Sequence, residues 1–317
     1  MGSFTKSFLK IIPSLREYTM DVIRQNPVLG ECRKIPVRGG EIEVYVHRAL
    51  RPHAPVLFEF HGGGLVLGDA AKDDHLCERL KDELDITVIG VNYRKAPEHP
   101  YPAAWQDAYD AVNYVYKHSD EFGINPEKMA VMGFSGGATL ATITAMKAAE
   151  TGDFPLSCQI LHYPYVDGAS DPKSKKQHPT DLLVEVMEAF TELYGNGQDP
   201  KKADISPLYA ENEHLQGSAP AALFMAAEDA LREEGFAYAA RLIQAGVLVI
   251  AQEEVPEMHH GYMEDYFNQP CYRSQPEDTI ALHSPRMGEM AEAVLKKTES
   301  VLKEYLIGNA NSDFEAG

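Results

Sequence analysis

Cysteine is scarce in this chain. Its 317 residues hold four, Cys32, Cys77, Cys158 and Cys271, scattered with no C-x-x-C spacing. That argues against a zinc site or a disulfide framework and leaves buried free thiols in a reducing compartment as the expectation. Basic charge is also short: 29 Lys plus Arg stand against 48 Asp plus Glu, a formal net charge of −19. An acidic surface keeps a chain in solution and repels phosphate backbones, so nucleic acid is not an expected partner. No apolar run approaches the roughly 18 residues that a bilayer crossing requires. The stretch Met1-Gly-Ser-Phe-Thr-Lys-Ser-Phe-Leu-Lys10 has lysines between its apolar residues and no small-residue cleavage site, so it does not read as a signal peptide. Together these absences predict a soluble cytoplasmic protein. Hydrophobic residues make up 44%, enough at this length for one large core or two modest ones.

What is present is a rhythm of strands and helices. Phe8, Ile11, Ile12, Leu15, Thr19, Val22 and Ile23 recur at helical spacing, and Pro13 followed by the Ser14/Glu17 capping pair predicts two short helices there. Strands are expected around 34–37, over 41–47 and over 55–60, then at 86–91, 129–132, 157–162, 221–226 and 247–251. Helical patterns separate most of them, over 72–84, 103–116, 138–150, 236–245 and 285–305. Such alternation predicts an α/β fold: a mostly parallel sheet flanked by helices. The rhythm breaks between Asp167 and Pro207. There a polar stretch with Lys173, Lys175 and Lys176, read as a solvated face, precedes an amphipathic helix carrying Leu182, Leu183, Val186, Met187, Phe190, Leu193 and Tyr194. An insertion of about forty residues is long for a connection and reads as a lid.

The chemistry gathers at the ends of strands. Met129-Ala-Val-Met132 runs into Gly133-Phe-Ser-Gly-Gly137 and then a helix, so Ser135 stands at the tip of a sharp strand–turn–helix. The N–H of Gly136 opens that helix and can face a developing oxyanion. Strand 55–60 ends in His61-Gly-Gly-Gly64, whose glycines leave backbone N–H groups approachable from one side. Asp229 follows the strand at 221–226, and His259-His260-Gly261-Tyr262 is expected in a loop after the strand at 247–251. Ser135, Asp229 and His260 thus occur in the order nucleophile, acid, histidine. His259 is the rival base and Glu228 and Glu233 the rival acids. His61 reads as structural, pinning its own loop.

These stretches resemble the hormone-sensitive-lipase-like carboxylesterases of the α/β-hydrolase superfamily. His61-Gly-Gly-Gly64 resembles that family's HGGG motif, and Tyr93-Arg-Lys-Ala-Pro-Glu-His-Pro-Tyr-Pro102 its YRLAPEHPFP signature. Asp229-Ala-Leu-Arg-Glu-Glu-Gly235 resembles DPLRDEG, His260-Gly-Tyr262 resembles HGF, and Ile205-Ser-Pro-Leu-Tyr-Ala210 resembles the segment that leaves the cap. Phe134 departs from the usual GDSAGG elbow by replacing a charged residue beside the serine. Segment 263–284 is longer than expected after the histidine.

The resemblance implies an α/β-hydrolase fold with residues 31–166 and 208–317 as the catalytic domain. Residues 167–207 would be the cap insertion, and the N-terminal helices, 1–30, part of the cap. It implies two-step acyl transfer on an ester by Ser135, His260 and Asp229; the family's substrate preference does not carry over past Phe134, and short-chain acyl esters are the expectation. Gly63, Gly64 and Gly136 would form the oxyanion hole, and no metal or cofactor is needed. The expected partner is a small-molecule ester, with a homo-oligomer left open. The same residues would serve a deacetylase of a sugar or xenobiotic ester, or hydrolysis of an activated amide. A non-catalytic ligand-binding protein on this fold is the reading from another class.

Overall fold

Val56 to Phe60 and Met129 to Met132 are dense in apolar residues, and strands of that kind need cover on both faces. The computed structural model describes residues 1–25, 27–178, 184–267 and 285–308, and it supplies that cover. In chain order come helix α1 (Ser3–Arg24), strands β1 (Glu31–Val37), β2 (Gly40–His47) and β3 (Ala54–Phe60), helix α2 (Asp74–Leu84), β4 (Thr87–Asn92) and α3 (Ala103–Lys117). The short α4 (Ser119–Phe122), β5 (Ile124–Phe134), α5 (Gly136–Thr151), β6 (Cys158–His162), α6 (Val184–Gly195) and the short α7 (Asn212–Leu215) follow. Then come β7 (Ala221–Glu228), α8 (Arg232–Gln244), β8 (Val249–His259), α9 (Tyr262–Phe267) and α10 (Pro285–Val301).

The eight strands form one sheet in the order β1-β2-β4-β3-β5-β6-β7-β8. β2 pairs antiparallel with β1 and β4, and every other neighbour is parallel. Alternation along each central strand feeds two cores. Val56, Phe58 and Phe60 of β3 and Met129 and Val131 of β5 face a layer that includes α3, α5 and α8. Leu57 of β3 and Ala130, Met132 and Phe134 of β5 face α2, α9 and α10 on the other side. Because the central strands are parallel, their carboxyl ends lie along one edge of the sheet, where sites of open α/β folds form.

Three expectations change. The first is the break at Pro13: α1 runs unbroken through it. The proline ring is exposed, while Phe8, Ile12 and Ile23 are buried and Arg16 bonds the Val66 carbonyl, so anchors on both sides outweigh the roughly 3 kcal/mol cost of an interior proline. The second is β8, which extends to His259 and so places that residue in the strand. Its Gln252-Glu253-Glu254 run hid the strand pattern; β8 is an edge strand, where charge is tolerated and protects against edge pairing. The third is Lys175, which is no solvated residue. Its side chain is 9% exposed and pairs with the buried Glu234 of α8. Of the segment 263–284, the residues after Phe267 lie outside the described residues, as do Leu182 and Leu183. Among the described residues no helix is long and apolar enough to cross a membrane.

Candidate active site

The site begins at the turn between β5 and α5. Ser135 has φ 51° and ψ −118°, a conformation non-glycine residues rarely adopt. Its backbone is held there: the Ser135 N–H donates to His162 O at 3.0 Å, and its carbonyl accepts from Ala138 N at 3.0 Å and Tyr165 N at 3.2 Å. Crowding explains the glycine at 137, since a Cβ there would collide with the Phe60 carbonyl. Phe134, just before the serine, is buried on the α2 and α10 side, stacked on His162 with ring centroids 4.9 Å apart. Its side chain therefore points into the core.

Two other strand ends meet the serine. Asp229 lies directly after β7 and is 3% exposed, and its Oδ1 accepts the N–H of Leu231 at 2.9 Å. Its Oδ2 stands 2.9 Å from His260 Nδ1. His260 lies in the turn after β8, and its Nε2 is 2.9 Å from Ser135 Oγ. The imidazole sits edge-on to Tyr163, centroids 5.1 Å apart. The rivals lie elsewhere. His259 turns Nδ1 to the carbonyl of His260 at 2.8 Å, Glu228 is exposed, and the exposed Glu233 pairs with Arg232.

The loop after β3 packs on this turn. Where Gly136 lacks a Cβ, Gly64 Cα and N lie 3.2 Å from the vacant position, so the two backbones touch. The Gly63 carbonyl is occupied by the N–H groups of Val66 at 3.1 Å and Leu67 at 2.8 Å. His61 is fully buried, stacks on Tyr93 at 4.3 Å and donates from Nδ1 to the Gly62 carbonyl at 2.7 Å. Burial holds its pKa well below the usual histidine value, which keeps the ring neutral.

A cavity of about 430 Å³, its mouth included, opens at Ser135. Its walls bring in Tyr165, Met187, Phe190 and Leu231 beside Ser135, Asp229 and His260. Met187 and Phe190 were legible as an apolar helix face, whereas nothing in the spacing singled out Tyr165. Phe190 fills the space over Gly64, which has φ 61° and no room for a Cβ against that ring. Behind it stands Phe8 of α1, edge-on at 5.8 Å. Two clasps hold these covering elements. Arg16 of α1 donates from Nε and Nη2 to the Val66 carbonyl at 3.0 and 2.7 Å. Glu234 accepts from Val166 N at 2.8 Å, Asp167 N at 3.1 Å and Lys175 Nζ. Burial pushes the Glu234 carboxyl up to about 7, against the pull of Lys175.

Fold and comparisons agree. Residues 57–264 match the family described by the alpha/beta hydrolase fold. The chain is 36% identical over 214 residues to esterase LipI of Mycobacterium tuberculosis, covering 66% of each chain. It is 35% identical over 233 residues to carboxylesterase NlhH of the same species, covering 72% of this chain and 71% of that one. An esterase structure from Pyrobaculum calidifontis superposes with a TM-score of 0.75 at 30% identity, over 91% of this chain and 92% of the other. The chain belongs to the alpha/beta-hydrolase family, in its hormone-sensitive-lipase-like carboxylesterase branch. That membership makes it a carboxylic ester hydrolase.

Proposed function

We propose that the chain hydrolyses short-chain acyl esters through Ser135, His260 and Asp229. The observation that carries this is the single imidazole bridging Ser135 Oγ and Asp229 Oδ2, each at 2.9 Å, at the floor of an apolar cavity. In the first step Ser135 Oγ attacks the ester carbonyl carbon and His260 Nε2 takes the hydroxyl proton. Asp229 accepts the Nδ1–H, orienting the ring and stabilising its cation. The oxyanion is received by the N–H groups of Gly63, Gly64 and Gly136, a reading supported by the contact of Gly64 with Gly136 and by the occupied Gly63 carbonyl. Collapse breaks the C–O bond to the alcohol, which leaves with the proton from His260. Water then attacks the acyl-serine and gives a proton to His260. The second collapse frees the acid and returns that proton to Ser135.

Chain length is read from the walls. Phe190 and Met187 stand over the cavity at Ser135 and limit the room left for the acyl group, which favours small acyl groups. We assign residues 1–30 and 167–207 to a cap over the catalytic domain of 31–166 and 208–317. The Phe8–Phe190 contact and the Arg16 and Glu234 clasps support that division. Cys32, Cys77 and Cys158 are free thiols, which favours a cytoplasmic setting.

The test is hydrolysis of p-nitrophenyl esters from acetate to dodecanoate by wild type and Ser135→Ala. Turnover is expected to peak at short chains and to fall by roughly 10⁴-fold or more in the variant. Folded wild type inactive at every chain length would favour the ligand-binding reading instead.

A further inference from the structure

Four residues past His260, Glu264 turns its carboxylate back under the glycine loop at the other end of the site. Its Oε1 accepts the N–H of Gly62 at 3.2 Å, across 202 residues of chain. Oε2 accepts the Tyr163 hydroxyl at 3.3 Å, and Lys72 Nζ lies 3.9 Å from Oε1. The residue is 6% exposed. Residue Gly62 is thereby held on both sides, its N–H by Glu264 and its carbonyl by His61 Nδ1 at 2.7 Å. The His61 carbonyl is in turn held by the Tyr93 hydroxyl at 2.8 Å. Space agrees with the bonding: a Cβ on Gly62 would lie 2.7 Å from Glu264 Oε1 and 2.9 Å from Oε2, so the carboxylate occupies the volume a side chain would take. The constraint at Gly62 is therefore a close approach; no left-handed backbone is involved.

We propose that Glu264 is a positioning residue for the oxyanion loop: by clamping the Gly62 N–H it sets where the Gly63 and Gly64 N–H groups stand relative to Ser135. The proposal rests on the esterase reading and adds to it a mechanical tie. Glu264 sits on α9, which begins two residues after His260, so base and oxyanion loop are registered against each other through one short helix. A buried N–H left without an acceptor would seek another, and the loop has a neighbouring peptide to rotate. Movement of about 1 Å at such a site is enough to cost roughly 100-fold in rate.

Three variants separate reach from charge. Glu264→Gln keeps both the length and an acceptor oxygen; Glu264→Asp keeps the charge but withdraws the carboxylate by one methylene; Glu264→Ala removes both. Each is assayed on p-nitrophenyl acetate, with competent sites counted by a p-nitrophenyl phosphonate and melting temperature recorded. Inhibition by a trifluoromethyl ketone, which forms a tetrahedral oxyanion, is measured in parallel. Glu264→Asp and Glu264→Ala should lower kcat per competent site by roughly 10- to 100-fold with KM within about twofold, and weaken the ketone in proportion; Glu264→Gln should stay within about fivefold of wild type. Should Glu264→Ala not fold, the order of the Gln and Asp variants still decides. Wild-type kcat per competent site in Glu264→Asp overturns the proposal, as does an Asp variant more active than the Gln variant, which would assign the role to charge beside Lys72. Either result leaves the esterase reading intact, whereas a wild type without turnover removes both.

Discussion

Asp229 is 3% exposed and spends one oxygen on the N–H of Leu231, which fixes the other toward His260. Asp229→Asn should therefore keep the shape of the site but favour the wrong imidazole tautomer. Its kcat is expected to fall roughly 10³- to 10⁴-fold with an unchanged melting temperature, read by steady-state kinetics and calorimetry on one preparation. A fall of less than tenfold would remove Asp229 from the proposed triad. Ser135 and Asp229 were legible because each follows an apolar strand, and these two and His260 because each stands in a short string rich in glycine or charge. Glu264 and Lys175 were not. One of the two carboxylates in Tyr262-Met-Glu-Asp265, or one lysine among three, carries no local pattern; only the fold tells which is buried and what it meets.

Among the elements, α6 puts Met187 and Phe190 into the wall of the cavity. Its Phe190 roofs the cavity beside Gly64 and leans on Phe8 of α1. Phe190→Ala should join the cavity to the space under α1 and move the preferred p-nitrophenyl ester toward longer acyl chains. It should also cost about 3–5 kcal/mol of stability, since a buried ring is removed. The chain-length profile of kcat/KM and urea unfolding measure the two effects, and an unchanged profile would take Phe190 out of the acyl wall. The periodicity of α6 was plain in the sequence. The continuity of α1 was not, because a proline is a local signal to stop, and what overrides it here is tertiary: buried Phe8 and Ile12 before or beside it and Arg16 after it.

At the scale of the molecule, the two larger cores among the described residues lie on either side of one sheet, and His162 is buried in one of them. Its ring is stacked between Phe134 at 4.9 Å and Phe224 at 5.2 Å, and neither ring nitrogen has a hydrogen-bond partner among the described residues. Burial pulls its pKa from 6.5 down to about 3. The sign follows from proton binding: below pH 6.5 the unfolded chain takes up a proton that the native state refuses. Stability is therefore fully present above that value and drains away as pH falls toward 3, by about 1.4 kcal/mol per pH unit for one proton. His162→Phe should abolish this share of the slope. Urea unfolding at pH 7.5, 5.5 and 4.5 should find the variant gaining on wild type as the pH drops, and parallel curves would refute the assignment. The sheet and its parallel centre were readable from the spacing of apolar runs. The edge strand β8 was readable only at 247–251; its extension to His259 was not, because edge strands are free to carry charge.

The helix α1 has its anchors far away along the chain: the Val66 carbonyl lies 50 residues beyond Arg16, and Phe190 lies nearly the whole catalytic half beyond Phe8. During synthesis at about 5–20 residues per second, α1 emerges roughly ten to forty seconds before α6 exists to receive it. Until then Phe8 has no ring to lean on, so a contact of the first helix made is among the last to close.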